Sequence, residues 1–384
     1  MGGTIEQAEG NAEAVAALEQ YLKFAKEGHI GYAVVMVGDA RNKMILGMTT
    51  GSTIFEPAIA TNIRKMAEKV EKDALNRSFP PHDPSLGADY VAYNIPNGPL
   101  SYDFIAWLID AEMTRIRKGA PAPLKVHFWM GRDGTELPEK TRRKQVFENV
   151  VRPALALIGA VEDPKAKNAG SKEFYLIGDI VKACKAGETV PRLKAPSPLD
   201  EPGFHPVTIT LRECDHWPHR NSNMDAWMRF ARYLEAQGEQ VIFIRDTAKV
   251  AEPLDFTTCP AASINLHDRI ALYEAAKCNL FVSNGPGSLC VFGERPWLMF
   301  IELMEDGHPY EVNTPTYFRE KLGLEKGDQH PWSGPDQRIV WAPDTYENIV
   351  EAWEKLNAEC FSGASRLHGD VEDGGRPRQA AGAR

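Results

Sequence analysis

The chain reads as an α/β protein built from two doubly wound halves, preceded by a small α+β module. Three observations predict that class. Apolar strand runs alternate with amphipathic helical stretches between residues 88 and 360. Proline-rich breaks at residues 77–87 and 190–206 divide the chain. Small-residue turns stand between strands and helices, where parallel sheets receive ligands outside the carboxyl ends of their strands.

Residues 1–11 are small and polar and are expected to be loose. From Ala12 to Lys26 the apolar positions Val15, Leu18, Leu22 and Ala25 recur at helical spacing, with Gly28 as a stop. GYAVVMVGD and MILGMTTG around the polar bend Arg41-Asn42-Lys43 predict a hairpin, and Glu56 to Leu75 returns to helical spacing. Charged residues on both helices read as solvated faces, so residues 12–78 are expected to be an accessory or oligomerisation module. RSFPPHDPSLG then forbids a regular element and marks a domain boundary.

In the first half, residues 88–190, ADYVAYNI is a strand and SYDFIAWLIDAEMTRIRKG a helix with Ser101 as cap and Gly119 as stop. LKVHFWM follows as a strand, Arg142 to Gly159 as a helix and EFYLIGD as a further strand. The five prolines between Val190 and Pro206 suggest a hinge. In the second half, residues 206–360, VTITLR is a strand, Asn223 to Gln237 a helix ended by Gly238, and QVIFIRD a strand. His267 to Lys277 is a helix leading into the strand and turn of NLFVSNGPGS, and WLMFIEL closes the series. Pro309 to Gln337 reads as loop, Tyr346 to Leu356 as the last helix, and residues 363–384 as a disordered tail.

A formal net charge of -9 over 384 residues argues against nucleic acid as the main partner, because phosphate backbones need a basic surface. No run reaches the roughly 20 apolar residues that span a bilayer, and the start lacks a signal-peptide pattern, so a cytoplasmic location is expected. The six scattered cysteines contain no CxxC pair and read as reduced packing residues. Cys214, Asp215, His216 and His219 cluster locally, yet their spacing matches no four-ligand zinc pattern, and no metal is expected.

Two loops carry the chemistry. The segment from Arg212 to Ser222 sets two arginines, His216, His219, Trp217 and Asn221 at a strand's carboxyl end, just before a helix. Arginine forks grip phosphate through paired hydrogen bonds, so Arg212 and Arg220, with Asn221 and Ser222, are candidates for a diphosphate site. The structural alternative is surface ion pairing by the arginines and helix capping by Asn221 or Ser222. Ser283-Asn284-Gly285-Pro286-Gly287-Ser288 is the second loop; it has neither dinucleotide spacing nor a P-loop lysine. Its bland reading is a tight turn in which Gly285 and Gly287 allow unusual dihedrals. Asn97-Gly98-Pro99 echoes it in the first half.

RIALYEAAKCNLFVSNGPGSLCVFGERPWLMF resembles the nucleotide-sugar region of GT-B glycosyltransferases, especially the heptosyltransferase-like group. The likeness rests on Tyr273 to Ala276, the strand Leu280 to Val282, Asn284-Gly285-Pro286, and Gly293-Glu294-Arg295-Pro296. It implies two Rossmann-like halves and a nucleotide-diphosphate sugar as donor substrate, with no tightly bound cofactor and a glycan acceptor. By the same resemblance the turn backbone and the helix after it hold the donor diphosphate, and Arg212 faces that cleft. Where the group commonly has a histidine after Gly-Pro-Met, this chain has Gly287-Ser288-Leu289. Sugar transfer of the inverting type needs a base near the acceptor hydroxyl, for which Asp103 and Asp215 are candidates. Asp103 can equally favour a helix dipole; Asp246, His216, His219 and Asn97 are candidate substrate contacts. A nucleotide-sugar epimerase and a noncatalytic nucleotide- or sugar-binding protein are the alternatives.

Overall fold

The computed structural model describes residues 33–38, 43–48, 85–96, 98–130, 137, 142–169, 177–215, 217–306 and 312–361. The expected loose start at 1–11, the helices at 12–26 and 56–75 and the tail at 363–384 lie outside them. The chain divides into two compact units, Met1–Pro80 with Met130–Glu136, and Pro81–Trp129 with Leu137–Arg384. In the first, β1 (Ala33–Gly38) and β2 (Lys43–Met48) form the expected antiparallel hairpin, Ala33 opposite Met48. All that follows concerns the second unit.

Its first half is a parallel sheet of β3 (Tyr90–Asn94), β4 (Lys125–Trp129) and β5 (Val161–Glu162), in that order. Helix α1 (Asp103–Arg117) connects β3 to β4, and its first turn is tied by Ser101 Oγ, which accepts from Asp103 N at 3.1 Å. Gly119 ends the helix at φ +63°, a conformation open to glycine without a Cβ penalty. The apolar stretch from Phe104 to Ile109 is buried, and Tyr93, Phe104 and Trp107 meet with ring centroids 4.7 to 5.4 Å apart. Tyr93 Oη donates to Pro99 O at 2.7 Å, which holds the turn after β3 against that aromatic core.

Arg142 to Gly159 is helical as expected, but in three registers: α2 (Arg142–Val146), a π turn (Phe147–Val151) and a 3₁₀ turn (Pro153–Ile158). Pro153 has no N–H for a continuous α ladder, which accounts for the change of register there. EFYLIGD is not a strand where it is described. Ile177 opens α3 (Ile177–Lys185), whose Ile180 and Val181 are buried on one side. Residues 173–176 lie outside the described residues. Gly178 admits the backbone of Lys321 against α3; a Cβ there would stand 2.6 Å from Lys321 O.

The second half is a five-stranded, wholly parallel sheet: β6 (Val207–Thr210), β7 (Val241–Ile244), β8 (Cys278–Val282), β9 (Trp297–Phe300) and β10 (Gln337–Val340). Their order is β10-β9-β8-β6-β7. β6 to β9 are buried at every position, as a parallel sheet covered on both faces requires. Alternation along β6 sends Val207, Ile209 and Leu211 into an apolar layer with α4 (Met224–Ala236) and α9 (Tyr346–Leu356), where Trp227, Phe230 and Trp353 pack. The other face is polar: Thr208 Oγ1 donates to Asn279 Oδ1 at 2.6 Å, and Thr210 shares a 2.7 Å bond with the Tyr273 hydroxyl. Tyr273 lies on α6 (Leu266–Ala275), which follows the short α5 (Pro260–Ile264).

WLMFIEL does not close the series. Residues 309–337 are not all loop either: α8 (Pro315–Tyr317) runs into a π turn (Phe318–Leu322) before β10. Strand β10 alternates buried and half-buried positions, which suits an edge strand and gives it only four residues of signal. The segment 190–206 does join the halves, but it is pinned. Leu193 N donates to Phe292 O at 2.9 Å in the second half, and Lys194 N to Leu157 O at 2.9 Å in the first. Arg192 reaches Gly293 O at 3.0 Å, and Ala195 N donates to Glu274 Oε1 at 2.8 Å.

His330, ahead of β10, is 4% exposed and stacks on Trp332 with centroids 4.7 Å apart; neither ring nitrogen has a hydrogen-bond partner among the described residues. Burial lowers its pKa to about 4. An unfolded histidine titrates near 6.5, so the unfolded chain binds the extra proton first as pH falls. The stability contributed by neutral His330 is therefore present above pH 6.5 and is lost between about 6.5 and 4, on the order of 3 kcal/mol in all. Urea denaturation across that range should show His330→Phe with a flatter decline than the wild type; identical slopes would contradict the assignment.

Candidate functional site

The strand order makes β6 and β8 neighbours although β7 lies between them in sequence. Connections leave this pair in opposite directions, which is the topological switch of a doubly wound sheet, and a crevice opens outside its carboxyl ends. The two loops singled out from sequence are those that follow β6 and β8. Between them and the ends of β9 and β10 lies an open cleft. His219, Arg220, Asn221, Val282, Ser283, Phe300, Glu302, Met304, Asn313, Ala342, Pro343 and Asp344 line it.

The β6 loop is closed on itself. Arg212 N donates to Ser222 Oγ at 2.9 Å, and Ser222 N donates back to Arg212 O at 2.9 Å. Asn221 bridges the interior: its Oδ1 accepts from Cys214 N at 3.1 Å and from the Arg212 guanidinium, and its Nδ2 donates to Cys214 O at 2.9 Å. Arg212 also donates to Trp217 O at 3.0 Å, and Trp217 turns the chain through the left-handed region at φ +56°. Ser222 and the buried side of Asn221 thus hold the loop. Neither caps α4, whose cap is Asn223, with its side chain accepting from Ala226 N at 3.2 Å.

Arg220 crosses to the β8 loop. Its Nη2 donates to Ser283 O at 3.0 Å and lies 3.4 Å from Ser283 Oγ, while its buried Nε has no acceptor among the described residues. Burial, and then the neighbouring Arg212, lower the Arg220 pKa, with Tyr317 and Asp103 acting in the opposite sense. Arg212 is likewise lowered by burial, against Cys214 and Asp246. Two mutually repelling guanidiniums in the β6 loop, one of them bonded to the end of β8, leave positive charge that an anion would relieve.

In the β8 loop, Asn284 Oδ1 accepts from Gly287 N at 2.8 Å, Ser288 N donates to Gly285 O at 3.1 Å and Leu289 N to Pro286 O at 3.1 Å. The first N–H groups of α7 (Gly287–Val291) therefore already have acceptors inside the turn. Neither glycine takes a positive φ, so unusual dihedrals are not why they are there. They are needed for close approach. A Cβ at Gly287 would stand 2.5 Å from the Phe281 ring, and one at Gly285 3.2 Å from Tyr102 Cβ. Asn284 Nδ2 and Ser288 Oγ are buried without partners among the described residues.

The contact at Gly285 brings the start of α1 to the β8 loop, and Asp103 follows Tyr102 directly. Asp103 is exposed, accepts from Ser101 Oγ at 2.8 Å and lies within electrostatic reach of both Arg220 and Tyr317. Asp215 is different: it is exposed, absent from the cleft lining, and its field is felt by Lys249. Asp246 stands at the end of β7 within the field of Arg212. His216 and Asn97 lie outside the described residues.

Glu302, Asn313, Asp344 and Tyr317 were not read from sequence as site residues. The first follows β9 and Asp344 follows β10, so the carboxyl-end rule applied to every strand would have reached them. Among the described residues no group of three or more His, Cys, Asp or Glu is placed to hold a metal ion, and no helix is long and apolar enough to cross a membrane.

No family model matches this chain, and no curated protein sequence matches it. Solved structures do. It is similar to the dodecameric iron-containing heptosyltransferase TibC in complex with ADP-D-beta-D-heptose, at 15% identity and a TM-score of 0.39 over 70% of this chain and 75% of that one. The glycosyl transferase family 9 structure from Veillonella parvula gives 9% identity and a TM-score of 0.38, over 70% of this chain and 96% of that one. E. coli heptosyltransferase WaaC with ADP gives 11% and 0.30, over 79% of each chain.

Removing the bridge inside the β6 loop should be felt as stability. Asn221→Ala leaves Cys214 N and the Arg212 guanidinium short of an acceptor, with an expected loss of about 1–3 kcal/mol in urea denaturation. An unchanged midpoint would show that the loop does not depend on Asn221.

Proposed function

We propose that this chain is a glycosyltransferase that moves a sugar from a nucleotide-diphosphate donor to a glycan acceptor. The observation that carries the reading is Arg220. It is a cation whose buried Nε lacks an acceptor among the described residues; Arg212 lies close by, and Ser283 is bonded to it, at the switch point of a parallel sheet. Such a group answers a diphosphate, whose charge grows as the bond to the sugar breaks. The resemblance of residues 269–300 to the donor region of GT-B enzymes supports the same assignment.

In this reading Arg220, backed by Arg212, takes up the charge on the leaving diphosphate, and no step calls on a metal ion. Arg212 acts partly through the loop: its bonds to Trp217 O and Asn221 hold the segment that presents Arg220. Ser283 adds a hydroxyl at the same place. Asp103 is the candidate base. It stands in the other half within the field of Arg220, is exposed, and is held by Ser101. A carboxylate can accept the acceptor's hydroxyl proton as the new glycosidic bond forms.

Thermal melting with UDP, GDP and ADP tests the donor site. At least one should raise the melting temperature, and Arg220→Ala should weaken that diphosphate about tenfold or more. No shift with any of them would remove the proposal. With an active donor and acceptor pair, Asp103→Asn should lower turnover by about 10²-fold or more while leaving donor binding intact. Conversion of the donor sugar without an acceptor would indicate an epimerase instead.

A further inference from the structure

The cleft has two chemically different ends. At one stand Arg220 and Ser283. At the other, toward β9 on the far side of β8 from β6, stand Glu302 and Asn313. The wall holds another carboxylate, Asp344, but it is engaged: its Oδ2 accepts from Asn223 N at 2.8 Å and from Trp227 Nε1 at 2.6 Å. Glu302 is exposed and forms no ion pair or side-chain hydrogen bond among the described residues. Asn313 is fixed by its backbone, at φ +58° with its carbonyl accepting from Met304 N at 2.8 Å. An uncommitted carboxylate and an amide in one open cleft suit a neutral ring bearing hydroxyls, which can donate to Glu302.

A nucleotide sugar offers two such rings, the ribose and the transferred sugar, one on each side of the diphosphate. The sheet distinguishes them. With both arginines in the β6 loop and Arg220 bonded to Ser283 at the end of β8, one end of the donor lies toward β7 and Asp246, the other toward β9, β10 and Glu302. The cleft itself runs from Arg220 and Ser283 toward β9 and β10, with Glu302 and Asn313 in its wall and, among the described residues, none of β7 or its loop lining it. The transferred sugar has to stand in open space to meet an acceptor, and the open space lies on the side of Glu302. Resting on the glycosyltransferase reading above, the geometry points to Glu302, supported by Asn313, as the specificity-determining residue that reads the hydroxyls of the transferred sugar.

Calorimetric titration of the full chain and of Glu302→Gln with UDP, GDP, ADP, UDP-glucose, GDP-mannose and ADP-glucose tests this. The nucleotide sugar that binds the wild type best should bind Glu302→Gln about tenfold more weakly, while its bare diphosphate changes by less than about twofold. An equal loss for both would mean that Glu302 reads the ribose and would overturn the assignment, as would no loss for either. A melting temperature equal to the wild type's keeps a folding defect apart from these outcomes. If the wild type binds none of the six, the glycosyltransferase reading fails and takes this one with it; if it binds them and Glu302→Gln is silent, only this one fails.

Discussion

The parallel pairing of β6 with β7 on one side and β8 on the other is the constraint from which the site follows. Val207 sits opposite both Val241 and Cys278, so one short strand of four residues sets the register of the sheet in both directions. The chain must then leave β6, build β7 at the edge, and return past β6 to lay down β8. Loops from β6 and β8 end side by side because of that return, and Arg220 can reach Ser283 across 63 residues of sequence. The polar bonds from Thr208 and Thr210 to Asn279 and Tyr273 fasten the same strand to β8 and to the helix before it. Unlike apolar contacts, buried hydrogen bonds of this kind are lost outright if the register slips.

How the β8 turn is built limits what its backbone can offer the anion of the proposed site. Its glycines let the backbone lie against Phe281 and Tyr102, and its first N–H groups close the turn onto Asn284, Gly285 and Pro286. A turn that satisfies itself is rigid, but it leaves fewer donors for a ligand. The cationic fork of Arg220 supplies what the turn backbone does not. Its positive charge is maintained in a half-buried place by neutral oxygens of Ser283, with the carboxylate of Asp103 acting at longer range. A lysine could not hold Ser283 and still direct a second N–H elsewhere with fixed geometry.

Much of this was legible in the residues. Strands β6 to β9 are apolar runs bounded by turn signals, and α4 carries Asn223 before its first turn and Gly238 after its last; both kinds of signal are local. The misreadings have physical causes. EFYLIGD has strand-like residues, yet its end folds as α3, where Gly178 and Val181 pack on the backbone around Lys321 and Gly323, a contact distant in sequence that no local pattern reports. β10 is short, follows a stretch rich in proline and glycine, and is a strand because β9 offers it an edge. At the site, the positions of Arg212, Arg220 and the β8 turn came from the strand-end rule. Which of their atoms are engaged did not, because Asn221 and Asn284 hold the loops through side-chain bonds that the sequence lists only as letters.

The two halves meet at points that bear on the chemistry. Gly285 receives Tyr102, His267 Nε2 lies 2.9 Å from Pro153 O, and Leu193 and Lys194 bond to opposite halves in successive residues. These contacts fix where α1 begins relative to the β8 turn. Asp103 is the next residue after Tyr102, so its distance from Arg220 is set by the packing of a tyrosine on a glycine rather than by either carboxylate or guanidinium. A Cβ at Gly285 would stand 3.2 Å from Tyr102 Cβ and press on the residue that precedes Asp103. Under the function proposed above, with its base and phosphate grip on different halves, that packing bears on whether they act on one substrate, since catalysis is sensitive to displacements of about 1 Å.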